Sequence, residues 1–258
     1  MEKIVFHTNI SDLESLMRNL PEIFEKEGKT IKNDRNEIKI IEYRGIRLCV
    51  KSFKKVTAFN RLMYSWFRDT KAKRSYKTAK KLISLGINTP TPIGYTEKTG
   101  RFGLIRNSYY VSLCQEYDFH LTDVLTGKYN DTKNLIKAFA DFMGEKVHSA
   151  GVWHNDMSNG NILINRFRNT YSFAIIDLNR IKFKYKISPF RGLRNLKRLN
   201  GDPVLMALLA EQYALTTHQD PRRFVFRLFG TQLAFESIRK QSKKFLHALD
   251  PTRKKAIS

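Results

Sequence analysis

The spacing of apolar and polar residues predicts a helix near the start of the chain and a small sheet after it. The run from Ser11 to Glu14 has the spacing of a capping box and predicts a short helix, which Pro21 interrupts and Gly28 closes. From residue 29 onwards, short apolar runs bounded by turn residues predict a three-stranded antiparallel meander. Its strands are expected at Thr30–Asn33, Glu37–Glu42 and Ile46–Phe53.

A basic helix and further strands are predicted before residue 118. Apolar residues at helical spacing predict a helix from Phe59 to Leu85, broken near Asp69 and stopped by Gly86. This helix is expected to accompany the sheet that follows residue 28, while residues 1–28 are expected to form a helical extension. The further strands are expected at Ile93–Lys98, Gly103–Asn107 and Tyr109–Gln115.

The remainder of the chain is predicted to be mainly helical. Apolar side chains recur every four residues from Leu135 to Val147, which indicates a helix over Asn134–Ala150 with one buried face. A hairpin interrupts this region, because Ile162–Ile164 and Phe173–Ile176 are short apolar runs separated by a polar turn. Other helices are expected at Leu121–Thr126, Val204–Leu215, Arg222–Phe229 and Gln232–Ala248.

Polar side chains flank both strands of this hairpin. Asp156 and Asn161 lie in the loop that enters it, and Asp177 follows the second strand. Pairing of the strands brings Asn161 and Asp177 to the same end of the hairpin, where two oxygen ligands suit Mg²⁺. Asp156 is then placed to accept the proton of a substrate hydroxyl beside the metal.

The order and spacing of these residues resemble a known catalytic loop. His154-x-Asp156-x-x-x-x-Asn161, followed by Asp177 after a strand, resembles the catalytic loop and metal-binding aspartate of the protein-kinase-like superfamily. Each residue alone is common in turns and caps, but the combination is far more specific. The residues from Asn155 to Asn161 resemble the loop of small-molecule kinases rather than that of protein kinases. The run from Ile176 to Arg180 resembles the lipopolysaccharide core kinases, which phosphorylate heptose or Kdo sugars of the inner core.

This resemblance implies an α+β, bilobal protein-kinase-like fold. The N-lobe, an antiparallel β-sheet with the basic helix, is expected at residues 29–117, and the mainly helical C-lobe at residues 118–258. The implied function is an ATP- and Mg²⁺-dependent phosphotransferase that acts on a Kdo or heptose hydroxyl, with Asp156 as the catalytic base. Asn161 and Asp177 are the implied metal ligands.

The resemblance also implies a nucleotide site in the N-lobe. Lys51, late in the third predicted strand, resembles the strand lysine that contacts the α- and β-phosphates of the nucleotide. Main-chain groups of Glu116 and Tyr117 are expected to meet the adenine edge. Protein kinases pair the lysine with a helix glutamate, but residues 70–96 contain no acid, and Ser75 lies near the expected position. Asp69 is the candidate to orient the lysine instead.

Two further departures concern charges near the phosphates. The turn from Lys32 to Asn36 contains no glycine, so any cover over the phosphates would rely on side chains. Ser158 stands where kinases often carry a cation, and Arg180 is the candidate to stabilise the transferred phosphoryl group. His154 is expected to brace the loop rather than react, and residues 181–193 are expected to face the substrate.

The formal net charge of +23 predicts an anionic partner. The basic residues are concentrated in two regions. Residues 51–81 contain eleven Lys and Arg and one acidic residue, and the chain from Arg222 onwards contains ten Lys and Arg and two acidic residues. Given the resemblance, we expect a lipopolysaccharide core or lipid A precursor as substrate and the anionic inner membrane surface as a docking surface. Nucleic acid is not expected, because the chain carries no recognised nucleic-acid-binding motif.

The hydropathy and cysteine content predict a cytoplasmic protein, and the resemblance together with the basic charge implies that it is peripheral on the inner face of the cytoplasmic membrane. No apolar stretch approaches the length of a membrane span, and the N-terminus has no basic-then-apolar signal sequence. Cys49 and Cys114 are interpreted as small buried residues in a reducing compartment. The sequence leaves the oligomeric state open.

Two alternative functions remain open at the level of sequence. The missing helix glutamate and the turn without glycine are also compatible with a catalytically inactive kinase fold that acts as a binding module. An aminoglycoside- or choline-type small-molecule kinase shares the loop, but such an enzyme is expected to have an acidic substrate cleft. A basic nucleic-acid-binding protein is a weaker alternative, because it leaves the proposed metal site unexplained.

Overall fold

The computed structural model describes residues 3–8, 10–34, 36–53, 69–100, 104–126, 129, 131–168 and 170–249. The chain forms two compact units. The first contains Met1–Asp118, Leu163–Asn165 and Ser172–Ile181, and the second contains Phe119–Ile162, Arg166–Tyr171 and Lys182–Ser258.

A six-stranded antiparallel sheet forms the first unit, in the order β1-β5-β6-β4-β3-β2. The predicted meander is confirmed as β2 to β4. The two strands predicted on either side of Ser108 are one strand, since Ser108 is buried and its carbonyl accepts a hydrogen bond from Phe53. The bounds are β1 Lys3–Thr8, β2 Lys29–Asn33, β3 Glu37–Tyr43, β4 Ile46–Ser52, β5 Pro92–Thr99 and β6 Ile105–Leu113.

The N-terminal segment is part of this sheet and its core, rather than only the expected helical extension. Strand β1, which the sequence pattern did not predict, pairs with β5. Helix α1, Glu14–Lys26, buries Leu16, Leu20 and Phe24 against the sheet. The expected capping-box bond is absent from this described segment, where a 3-10 turn without a side-chain cap leads into the helix.

Pro21 lies inside α1 and does not interrupt it, contrary to the prediction. A proline has no N–H to donate to the carbonyl four residues earlier, here that of Met17. The hydroxyl of Thr96, fully buried on β5, donates to this carbonyl at 2.8 Å. A side chain distant in sequence therefore supplies the hydrogen bond that the proline removes, and the helix continues.

The second half of the predicted basic helix is α2, Lys71–Ser84; the first half, residues 59–68, lies outside the described residues. The helix begins at Thr70, whose hydroxyl accepts a hydrogen bond from the Lys73 main chain at 3.1 Å. Its buried face includes Ala72, Tyr76 and Leu82. The lysines lie on the remaining faces of the helix, where Lys71 and Lys73 are partly buried and Lys77, Lys80 and Lys81 are exposed.

The second unit is mainly helical. The predicted Asn134–Ala150 helix is α4, which continues as a π-helix over Phe142–His148 with its apolar stripe buried. The two helices predicted on either side of Gly230 are the single helix α7. An interior glycine costs a helix only about 1 kcal/mol, which is too little to end it. The bounds are α3 Leu121–Leu125, α4 Thr132–Asp141, α5 Pro189–Asn195, α6 Pro203–Thr216 and α7 Pro221–Leu249.

Short strands carry the loops of interest. The predicted hairpin is confirmed as two paired strands, β9 and β10, whose residues are divided between the two units. Strands β8 and β11 form a two-stranded sheet. The bounds are β7 Phe119–His120, β8 Val152–His154, β9 Ile162–Phe167, β10 Thr170–Ile175 and β11 Ile181–Phe183.

Candidate active site

The structure brings Lys51 and Asp177 together in the first unit. Strand β4 lies between β3 and β6, so its register fixes the position of Lys51. The Lys51 ammonium lies 2.5 Å from Oδ1 of Asp177, and the two side chains are 16% and 25% exposed. These residues are 126 positions apart in sequence. The fold therefore joins the strand lysine and the post-strand aspartate that the sequence analysis identified separately.

The backbone around Asp177 is held in an unusual conformation. Asp177 has φ 59° and ψ 50°, in the left-handed region, which non-glycine residues rarely adopt. The end of β10 is anchored just before it, because Thr89 donates to the Ile175 carbonyl at 2.8 Å. The Asn179 amide donates to Asp177 Oδ1 at 2.9 Å. Strained residues of this kind cluster at functional sites, where the surrounding contacts maintain them.

Lys71 is a further cation close to this ion pair. Lys71, the first residue of α2, is half-buried, and its ammonium lies 5.9 Å from the centre of the Phe53 ring. Burial lowers the pKa of Lys71, the nearby charges of Arg180, Arg74 and Lys51 lower it further, and Asp177 opposes them. Cations held this close repel one another, so the cluster favours binding of a polyanion. The sequence pattern identified only a basic helix and did not single out Lys71.

Asp69 does not orient Lys51, contrary to the expectation. Its carboxylate accepts hydrogen bonds from Lys77 at 2.6 Å and Lys73 at 3.0 Å. Burial raises the pKa of Asp69, but these two hydrogen bonds outweigh burial, and the net pKa is lowered. Ser75, at the position expected for a helix glutamate, donates to the Lys71 carbonyl at 2.9 Å. The carboxylate that pairs with Lys51 is therefore Asp177.

The expected hinge follows β6. The Glu116 carbonyl accepts a hydrogen bond from the Asn165 side chain at 3.3 Å, and the main-chain N–H of Asp118 donates to Ile164 at 3.0 Å. The Glu116 side chain is 91% exposed. A carbonyl oxygen has two lone pairs, so this contact is compatible with a second donor. The contact of Glu116 and Tyr117 with adenine stays a prediction.

The second unit contains the predicted catalytic loop, braced by His154. This side chain is fully buried, and its Nδ1 accepts a hydrogen bond from the Asp156 main-chain N–H at 3.0 Å. Asn195, at the end of α5, donates to the His154 carbonyl at 2.7 Å and accepts from its N–H at 3.3 Å. These bonds use His154 to hold the shape of the loop, as its position in the motif suggested.

Asp156 and Asn161 are joined within the same loop. The Asn161 amide nitrogen donates to the Asp156 carbonyl at 2.7 Å, so its amide oxygen is the atom with metal-binding chemistry. The Asp156 carboxylate is 27% exposed, and an Arg198 nitrogen lies 3.0 Å from its Oδ1. Sequence reasoning missed Arg198, because nothing in the pattern links it to a residue 42 positions earlier.

Arg180, the arginine expected to compensate for the neutral Ser158, lies in the first unit, whereas Arg198 lies in the second. Arg180 acts electrostatically on Lys71 in the first unit. In the second unit, Arg198 is the arginine that contacts Asp156. The two candidate cations are therefore associated with different parts of the predicted machinery.

A magnesium ion fits the chemistry of the predicted donors. Asp177 offers a carboxylate and Asn161 an amide oxygen, the two hard oxygen ligands expected from the hairpin. Among the residues that the structure describes, no cluster of three or more His, Cys, Asp or Glu side chains is arranged to hold a metal. Few protein ligands are typical of Mg²⁺ sites that also use substrate phosphates and water.

The cysteines and hydropathy add no further site. Cys49 and Cys114 are free thiols, both partly buried, and burial raises the pKa of Cys49 to about 11. A thiol with a raised pKa is a poor nucleophile at neutral pH. Within the described residues, helices are too short or too polar to cross a bilayer.

Comparisons with solved structures agree with the fold. A solved structure described as WaaP in complex with acyl carrier protein matches with a TM-score of 0.59 and 16% identity, over 93% of this chain and 98% of that one. The Rio2 kinase–ADP/Mg²⁺–phosphoaspartate complex from Chaetomium thermophilum matches with a TM-score of 0.49 and 14% identity, over 90% and 77%. The expected protein-kinase-like α+β fold is confirmed. No curated protein sequence matched.

The family comparison covers most of the chain. The model of the lipopolysaccharide kinase (Kdo/WaaP) family matches residues 36–223, a range that includes Lys51, the predicted catalytic loop, Asp177 and Arg198. The resemblance inferred from the loop is thus confirmed over the whole region that carries the candidate chemistry. The protein belongs to the lipopolysaccharide kinase (Kdo/WaaP) family.

Proposed function

We propose that this kinase transfers the γ-phosphoryl group of ATP to a Kdo or heptose hydroxyl of the lipopolysaccharide inner core. Membership of the lipopolysaccharide kinase family supports the substrate class. The observation that carries the reaction type is the 2.5 Å contact between Lys51 and Asp177, because it pairs the expected phosphate-binding lysine with the expected metal ligand.

Lys51 and the neighbouring cations bind the triphosphate. The ammonium groups of Lys51 and Lys71, together with Arg180, offset the charge of the triphosphate, with Lys51 at the α- and β-phosphates. Asp177 and Asn161 are the residues that would hold Mg²⁺, which supplies further neutralisation of the phosphate charge when bound. The main chain at Glu116 and Tyr117 is proposed to receive the adenine edge.

Asp156 accepts the proton of the sugar hydroxyl on its carboxylate. The main chain of Asp156 is bonded to the ring of His154 and the amide of Asn161, so hydrogen bonds within the loop hold its conformation. The partly exposed carboxylate remains available to a hydroxyl from solution. Phosphoryl transfer needs mostly positioning and charge neutralisation, and a preformed loop supplies the positioning.

Charge and surface favour a substrate at an anionic membrane. The net charge of +23 suits Kdo carboxylates, lipid A phosphates and anionic lipids. On α7, Arg222, Arg223 and Lys240 are exposed beside the exposed apolar side chains of Phe226 and Ile238. This mixture is suited to peripheral attachment. We therefore propose that the enzyme works on the cytoplasmic face of the inner membrane.

Acceptor-dependent ADP release tests the proposal. Native protein with ATP and Mg²⁺ should turn over on Kdo-lipid A or a core acceptor, and Asp156→Ala and Asp177→Ala should each lower kcat by about 10³-fold or more. Asp12→Ala is the matched control, because Asp12 is an exposed residue of the 3-10 turn before α1 and belongs to neither the catalytic loop nor the turn expected to cover the phosphates. Nucleotide binding without turnover would favour the inactive binding module, and turnover only on an aminoglycoside or choline would favour the small-molecule kinase.

A further inference from the structure

A short segment runs beside the catalytic loop and is bonded to it at both ends. We call Asn195–Asn200 the clamp segment; its middle is a 3-10 turn. At one end the Asn195 side chain makes two hydrogen bonds to the His154 main chain. At the other end the Asn159 side chain donates to the Asn200 carbonyl at 2.5 Å and accepts from its N–H at 3.1 Å. The position of the clamp segment relative to the loop is therefore fixed.

Helix α7 holds the clamp segment from another direction. The Gln232 side chain donates to the Leu199 carbonyl at 2.8 Å. Phe235 lies under two cations, with the Arg198 guanidinium 5.5 Å and the Lys197 ammonium 4.8 Å from the ring centre. Cation–π contacts restrict long side chains that would otherwise sample many rotamers. Arg198 is thus positioned through both its main chain and its side chain.

The guanidinium of Arg198 has donors to spare for a second partner. Its contact with Asp156 Oδ1, at 3.0 Å, involves one nitrogen, while a guanidinium carries five N–H donors. The Arg198 side chain is 36% exposed, so an incoming anion can reach it. The clamp segment is already held by Asn195, Asn200 and Gln232. The conformation of the clamp segment therefore does not depend on the charge of Arg198. A role in the reaction gives a better reason for a cation at this position.

We propose that Arg198 is a catalytic residue that contacts the phosphoryl group during its transfer. The inference rests on the proposed function. The sugar oxygen forms a bond to the γ-phosphorus, the bond to the β–γ bridging oxygen breaks with its electron pair leaving on ADP, and the hydroxyl proton passes to Asp156. Arg198 keeps its own protons and stabilises the charge on the transferred oxygens, a role that the neutral Ser158 cannot fill.

The test compares Arg198→Ala and Arg198→Lys with Lys197→Ala. Lys197 is a matched control because it lies in the same turn and over the same phenyl ring. Arg198→Ala should lower kcat about 10²- to 10³-fold with the KM for ATP changed less than about threefold, since the contact forms in the transition state. Arg198→Lys should keep part of the rate, and Lys197→Ala should stay within about threefold of native.

Added guanidinium ion separates a chemical role from a structural one. Millimolar guanidinium should restore part of the rate of Arg198→Ala, but none of the rate of Asp156→Ala. Equal rates for Arg198→Ala and Lys197→Ala, with native turnover intact, would overturn the inference and leave the proposed function standing. So would a loss of rate in Arg198→Ala and Arg198→Lys that tracks a lowered Tm and does not respond to guanidinium. Absence of acceptor-dependent turnover in the native protein would overturn both.

Discussion

Removing the Lys71 charge should weaken ATP binding much more than removing another charge from the same helix. Lys71 begins α2 and lies close enough to Lys51 and Arg180 for both to lower its pKa. The energy at stake is the attraction between the Lys71 ammonium and a phosphate of bound ATP. At an effective dielectric constant of about 20, two such unit charges about 5 Å apart attract each other by about 3 kcal/mol. Screening at a half-buried site reduces this to about 1–2 kcal/mol, which corresponds to about a 5- to 30-fold rise in Kd.

Calorimetric titration with ATP and Mg²⁺ measures this effect directly. Lys71→Gln removes the charge and keeps a polar side chain of similar length. Lys80→Gln is the control, because Lys80 is an exposed residue of the same helix whose ammonium lies 5.7 Å from the Tyr76 ring centre. Its Kd should change less than about twofold, because exposed charges beyond the Debye length of about 8 Å are screened. Equal weakening in both variants would refute a local role for Lys71.

The same residue predicts a dependence on pH. A lysine with a lowered pKa loses its proton below the ordinary value of 10.5, and a bound anion favours the protonated form. As the pH rises, ATP affinity of the native protein should therefore begin to fall before the pH reaches 10.5. In the pH range where Lys71 is partly deprotonated, ATP binding should be coupled to proton uptake. Lys71→Gln should lose this component of proton uptake. If the variant keeps the same proton uptake as the native protein, another group titrates.

Three further predictions test the fold and the hinge. Thr96→Val should destabilise the protein by about 1–3 kcal/mol in chemical denaturation, because the buried Met17 carbonyl loses its donor. In a Pro21→Ala background the loss should be smaller, since the new N–H can bond that carbonyl, and equal losses would contradict this account. Burial lowers the pKa of His148 to about 4, despite an opposing hydrogen bond from a neighbouring side chain. The unfolded state then binds more protons between about pH 6.5 and 4, so stability should fall by about 3 kcal/mol as pH drops through this window, with a flatter profile in His148→Gln. Glu116→Ala should leave ATP affinity within about twofold, because its side chain is exposed and the proposed contact is through the main chain; a tenfold loss would place the side chain in the site.

Local patterns predicted the parts of the molecule whose partners are near in sequence. The meander from β2 to β4 and the hairpin of β9 and β10 depend on apolar runs and turns only a few residues apart. The predicted catalytic loop was recognisable for the same reason, since His154 and Asn161 each bond to the main chain of Asp156 within eight residues. Motifs of this kind carry their own geometry.

Features that depend on distant partners escaped the sequence pattern. Strand β1 has an Ile-Val-Phe run typical of strands, but its partner β5 lies some 90 residues away, so the sequence pattern gave no pairing for it. Pro21 is accommodated in a helix only because Thr96 replaces the missing donor. Arg198 reaches the catalytic loop through the fold alone. In each case the deciding interaction links residues that no local window contains, and at Pro21 this tertiary contact overrides helix propensity.

The contacts of Lys51 lead to a different interpretation of the absence of acidic residues in α2. The lack of a glutamate in α2 had suggested an inactive kinase fold, because the strand lysine would then have no carboxylate to orient it. Asp177 supplies that carboxylate at 2.5 Å, and α2 contributes Lys71 to the same cluster instead of an acid. A cluster with this excess of positive charge is destabilised by self-repulsion until a polyanion binds. The missing glutamate is therefore an argument for tighter phosphate binding rather than for lost activity, and the comparison of Lys71→Gln with Lys80→Gln is the experiment that decides whether it holds.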